Sequence, residues 1–161
     1  MKSSKGMSLI EMILTMVIVS LALVASLRSF SLFAGRSADV LVQTRTLDLA
    51  QLYFDEILSH RFDEDSGVYG VPTYTGACRI TDDGESRENY DDVDDFNAII
   101  NEAPSLIDAS LAADYAGFLV SVTVTCDDSI GTLANGGKRI DIAISNPLNT
   151  TSIFTVYKGN Y

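Results

Sequence analysis

Hydrophobic and polar positions divide the chain into three regimes. From Met12 to Leu27 no residue is charged, and large apolar side chains fall on every face of a helix. A run of that kind has the composition of a membrane anchor, though its sixteen residues make the embedded part short. Beyond it the pattern becomes amphipathic: Val40, Leu47, Ala50, Phe54 and Ile57 recur at spacings of seven, three and four, an apolar stripe that continues to about Leu58. No proline precedes Pro72. The expectation is one helix from about Ser8 to Leu58, roughly 75 Å long at 1.5 Å per residue.

In the last third the period changes to two. "GFLVSVTVTC" puts Phe118, Val120, Val122, Val124 and Cys126 on one face, "KRIDIAIS" does the same with Ile140, Ile142 and Ile144, and "SIFTVYK" supplies a third strand. The stretches between them, "DDSIGTLANGG" and "NPLNTT", are dense in turn formers. A three-stranded antiparallel meander over about 117–158 is predicted, its apolar face resting on the amphipathic half of the helix. The fold class is therefore α+β, long helix first and sheet afterwards. Between them "HRFDEDSGVYGVPTYTG" reads as a loop with a short strand at Val68–Tyr74, and "ACRIT" as a second short strand bearing Cys78.

The most polar stretch is "TDDGESRENYDDVDDFNAIINEAP": from Asp82 to Asp95 there are eight acids and one base, Arg87. Such a run is expected to stay out of the core, as a solvated loop leading into a short helix or turn near Phe96–Glu102. The alternative is hard-oxygen ligation of calcium by Asp91, Asp92, Asp94 and Asp95. Their spacing does not match an EF-hand loop, whose glycine and terminal glutamate are missing, and "DEDSG" at Asp63–Gly67 is a weaker candidate still.

A net charge of −11, with the basic residues scattered, argues against nucleic acid, which needs clustered Lys and Arg. The only histidine is His60, at the end of the predicted helix, and the cysteines number two. Neither a metal-hydrolase cluster nor a Ser-His or Cys-His dyad has support, and no enzyme is expected. Cys78 and Cys126 are read as a disulfide in an exported domain, which stabilises by roughly 4 kcal/mol in the chain-entropy model. Two buried thiols in a cytosolic protein are the alternative.

Export is argued from the N-terminus. Lys2 and Lys5 precede the apolar run, an arrangement that keeps the start of the chain in the cytoplasm and sends the rest across. Small residues around Ala34 and Gly35 leave open a cleaved secretory signal, although Arg28 already interrupts the run. Glu11 is the outlier, because a carboxylate in an apolar segment is costly and is usually kept for a partner. It either starts the helix at the headgroup level, where its charge suits the dipole, or meets a positive group of a neighbouring copy. A cut between Gly6 and Met7 would create that group, an α-amine four residues before Glu11.

"KGMSLIEMILTMVIVSLALVA" resembles the signal of type IV prepilins and type II secretion pseudopilins, through Lys5, Gly6, Met7, Ser8, Leu9, Ile10 and Glu11. The resemblance implies cleavage after Gly6 and methylation of Met7 by a prepilin peptidase, Glu11 as an assembly contact, and the α+β pilin fold. It divides the chain into a leader at 1–6, a transmembrane and assembly helix at 7–35, and a periplasmic domain at 36–161 holding the acidic loop 82–95 and the strands. Its partners would be other pilin subunits, its location the inner membrane with a cytoplasmic N-terminus and then the pilus surface. Met7 departs from the commoner phenylalanine, and Arg28 stands where many major pilins carry a helix-breaking proline.

The block "ESRENYDDVDDFN" also resembles MSHA-type, MshD-like minor pilins. A disulfide enclosing the acidic segment, rather than a loop near the C-terminus, suggests a minor subunit with its own surface. Three functions therefore stand: a minor pilin, a type II secretion pseudopilin, and a signal-anchored periplasmic module that binds calcium and does not polymerise. No cofactor is expected unless the acidic loop takes calcium.

Overall fold

A computed structural model describes residues 8–67, 73–81, 83–132 and 136–160. Among the described residues one α-helix, α1 (Leu9–Ser59), precedes three strands, β1 (Leu119–Thr132), β2 (Gly136–Ser145) and β3 (Thr151–Gly159), with short 3-10 turns at Asp95–Ala98, Pro104–Leu106 and Ala109–Ala112 between helix and strands. This is the expected α+β order, a long apolar helix followed by an antiparallel sheet, and the architecture is pilin-like. The chain forms two compact units, Met1–Gln43 and Thr44–Tyr161.

In the first unit α1 starts where the N–H groups of Glu11 and Met12 donate to the Ser8 carbonyl, at 3.0 and 3.1 Å. Leu9–Phe33 has a mean hydropathy of 2.4 and none of it is buried. At 1.5 Å per residue that span is about 37 Å long, enough for a hydrocarbon layer of about 30 Å. The helix runs without a break through Arg28.

In the second unit the face of α1 that is buried comprises Thr46, Leu49, Ala50, Tyr53 and Ile57. It differs from the predicted stripe: Val40 and Leu47 are exposed, Phe54 is half-buried, and only Ala50 and Ile57 are shared. The reason lies in Tyr53, whose ring is fully buried while its hydroxyl donates to Glu102 Oε1 at 2.9 Å. A buried tyrosine needs such a partner, and the helix presents the face that provides one. The last turn of α1 holds no basic residue. Lys158 of β3 supplies the charge, donating from Nζ to the carbonyls of Leu58, at 2.8 Å, and His60. A cation there complements the dipole and satisfies carbonyls that the helix leaves open.

The sheet has the order β1-β2-β3, antiparallel throughout. Its register opposes Val120 to Ile144, Val122 to Ile142 and Val124 to Ile140, and then Ile142 to Phe154 and Ile140 to Val156. The side chains of Val120, Val122, Val124, Ile140, Ile142 and Ile144 are buried with Phe118, as the period of two predicts. The outer edge of β1 is covered: Glu102 exchanges backbone hydrogen bonds with Val120, Ile99 accepts from Val122, and Asn97 Oδ1 accepts from Val124 N–H at 2.9 Å. Covering a strand edge in this way removes a template for pairing with other chains.

The short strands expected before the acidic run do not form in the described residues: Thr73 to Thr81 has no ladder partner, and the rest of Val68–Tyr74 lies outside them. The acidic run divides: Asp83, Glu85 and Glu88 are exposed, as expected of a solvated loop, but its end is not. Asp92, Val93, Asp94, Asp95 and Phe96 are all buried. Asp94 enters this core opposite the Lys138 ammonium, and Asp92 and Asp95 enter it accepting from backbone N–H groups of their own turn.

Candidate functional site

Two features carry chemistry, one in each unit. In the first, the polar side chains of the apolar span are mostly satisfied by their own helix. Hydroxyls of Thr15, Ser20, Ser26, Ser29 and Ser31 donate to carbonyls three or four residues back, at 2.6–3.1 Å. That pattern suits a medium without water, where each unmet polar group is costly. Glu11 stands exposed in the first turn of α1, and Arg28 is exposed farther along. Gly6 and Met7, the expected cleavage and methylation positions, lie outside the described residues, as does the leader before them.

In the second unit, one row of the sheet is polar. Cys126 of β1 opposes Lys138 of β2, which opposes Lys158 of β3. Cys126 is bonded to Cys78, with a Cα–Cα separation of 5.8 Å, and this ties the segment around Cys78 to β1. Lys138 is completely buried. Its Nζ lies 2.6 Å from Asp94 Oδ1 and 3.8 Å from Asp63 Oδ2, donates to the Phe62 carbonyl, and sits 4.6 Å from the centre of the Phe62 ring. Asp63 is also held by Arg79, whose Nε and Nη2 donate to its two oxygens. Burial alone would raise the Asp63 pKa, but Arg79, the Asp65 N–H and Lys138 together hold it below the ordinary carboxylate value.

The remaining acids follow a different balance. Burial pushes the Asp92 carboxyl up to about 7, and neighbouring Asp94 and Asp95 add to that against the opposing hydrogen bond from the Asp94 N–H. Asp94 is raised by burial, against the pull of Lys138 and the Thr81 N–H. Asp95 is raised by burial too, while its Oδ2 accepts from the N–H groups of Asp91 and Asp92 at 2.9 and 3.1 Å. Asp91 pairs with Arg61. The four carboxylates considered for calcium thus serve separate protein donors, in an internally bonded turn. Among the described residues, the triad whose oxygens lie within 4.8 Å of one another is Asp83, Glu85 and Asp95, the first two exposed.

His60 packs against Phe96 with ring centres 5.2 Å apart, a helix-end residue as its position implied. Arg87, the lone base of the acidic run, links Glu56 of α1 at 2.8 Å to Glu102 at 3.4 Å and lies over the rings of Tyr90 and Phe96. Sequence reasoning passed over Lys138, Arg79 and Lys158, and named Asp63 only as part of a weak calcium candidate. For the two lysines a signal existed: Lys138 is in phase with Ile140, Ile142 and Ile144, and Lys158 is in phase with Phe154 and Val156. A lysine on the inward phase of a strand implies a buried anion or a carbonyl cluster.

Residues 1–27 match the family described as the prokaryotic N-terminal methylation motif. This is the signal of type IV pilins and pseudopilins, and it implies processing by a prepilin peptidase. No curated protein and no solved structure matches the chain.

Proposed function

We propose that the chain is a minor type IV pilin, a structural subunit cut after Gly6, methylated on Met7, and carried from the inner membrane into a pilus whose assembly it joins or primes. The observation that supports this most is continuity: the methylation motif at 1–27 takes in most of the unburied apolar span Leu9–Phe33, and the same helix goes on into an α+β unit of pilin-like order. Leader 1–6, anchor 7–35 and periplasmic domain 36–161 are the working divisions. An MSHA-like subtype is the finer reading, drawn from the acidic block alone.

The mechanism asked of the chain is physical rather than catalytic. The apolar surface of Leu9–Phe33 is stable in lipid and equally stable against other apolar helices. Glu11 makes the difference between them. In lipid its charge lacks a partner and is costly, whereas beside the Met7 amine of a neighbouring copy it is neutralised. That preference draws the helix out of the bilayer and into a bundle. A calcium-binding module that never polymerises would leave Gly6, Met7 and Glu11 without a task.

The test is Glu11→Ala in cells that carry the filament. The variant should remain in the inner membrane at its normal level and be missing from sheared filaments. Normal incorporation would remove the pairing role. Deletion of the chain separates the two assembly machines: loss of surface filaments marks a pilin, and loss of protein secretion with filaments intact marks a pseudopilin.

A further inference from the structure

The span Leu9–Phe33 carries two charges of opposite sign, Glu11 and Arg28. Both are exposed, and among the described residues neither takes part in an ion pair. The hydroxyls of the span are bonded within the helix, so the two charges are what remains to be matched from outside. They are seventeen residues apart, about 25 Å along a helix rising 1.5 Å per residue.

Two copies inserted in the same direction and at one depth set Glu11 beside Glu11 and Arg28 beside Arg28. Like charges then oppose each other at both ends of the apolar run, and lateral pairing in the bilayer is disfavoured. Sliding one copy along its axis by about 25 Å removes both repulsions and places the Glu11 of the displaced copy level with the Arg28 of the other. We propose that α1 docks on a second, parallel copy of this chain displaced by that distance, with Glu11 and Arg28 paired between the copies. The proposal rests on the filament reading above. A bilayer holds both helices at one depth, so the pair forms only where subunits are displaced along their axes. A carboxylate accepts several hydrogen bonds, so this guanidinium joins at Glu11 the Met7 amine of a different neighbouring copy, one offset by only four residues, rather than replacing it.

The same offset separates Leu14 from Ser31, each one turn beyond its charge. Two differently tagged full-length chains, Leu14→Cys and Ser31→Cys, are co-expressed, oxidised in cells, and compared in sheared filaments and in membranes. The expected result is a mixed-tag disulfide dimer in the filament fraction, lost when Arg28→Glu is added to the Ser31→Cys chain and kept with Arg28→Lys. Cross-links between Leu14→Cys chains in place of the mixed dimer, no cross-link at all, or a mixed dimer indifferent to Arg28→Glu would each overturn the proposal. The N-terminal mass of the same samples separates the two failures. A methylated Met7 terminus without the mixed dimer sinks this pairing alone, whereas an unprocessed terminus sinks the filament reading.

Discussion

Replacing Lys138 by methionine keeps the length of the side chain and removes its charge. In the native domain that ammonium is wholly buried and is the nearest cation to Asp94, at 2.6 Å. Asp63 keeps Arg79 after the change, at 3.1 Å, so the loss falls on Asp94, which retains the Thr81 N–H at 3.2 Å. Breaking a buried pair by removing one partner costs about 3–5 kcal/mol, because the other charge stays behind. Domains of this class are stable by about 5–15 kcal/mol, and the change should lower the urea midpoint by about 2 M. The assay is urea unfolding of the full chain in detergent, followed by tyrosine near-ultraviolet circular dichroism at pH 8 and pH 5. Acid neutralises the stranded Asp94, so the deficit should shrink at pH 5. Adding Asp94→Asn should recover much of the loss, since the amide still accepts from Thr81 and leaves no orphan charge. A deficit under about 1 kcal/mol at pH 8, well short of the cost of a stranded buried charge, or one that grows on acidification, would refute the reasoning.

Two further outcomes follow from the same unit. Reducing Cys78–Cys126, or replacing both by serine, frees a loop with a sequence separation of 48 and should cost about 4 kcal/mol; a urea midpoint unchanged by reductant contradicts this. Asp92 holds its proton up to about pH 7 in the folded state against 3.8 for the free group. The native state therefore binds the extra proton between those values, and stability from this group falls as pH rises through that window, by at most about 1.4 kcal/mol per pH unit. Asp63 acts oppositely, since its folded pKa is lowered and its contribution is lost as pH falls through that lowered value. Asp92→Asn should flatten the dependence of melting temperature between pH 5 and 7, and an unchanged slope would remove Asp92 from the account.

The elements with a purely local cause were legible in advance. α1 follows from a charge-free run and the absence of proline, and the strands follow from alternation that the register of Val120, Val122 and Val124 against Ile144, Ile142 and Ile140 obeys. The buried face of α1 was harder, because the choice between Tyr53 and Phe54 depends on Glu102, far along the chain. The start of the acidic run was read correctly, since Asp83, Glu85 and Glu88 are exposed, but its end was misread for the same kind of reason. Asp94 is matched by Lys138 from β2, and Asp91 by Arg61. A run of acids looks solvated until its cations are placed, and their placement is a property of the fold. At the N-terminus the legible part is the motif itself: Gly6, Met7 and Glu11 are named by their order along the chain, and Gly6 and Met7 lie outside the described residues.

The central claim is that this chain is processed as a pilin subunit. Its most direct test is the mass of the N-terminal peptide from protein purified out of native membranes. The account predicts a chain that begins with N-methylated Met7. An intact Met1, or a cut near Gly35, would contradict it.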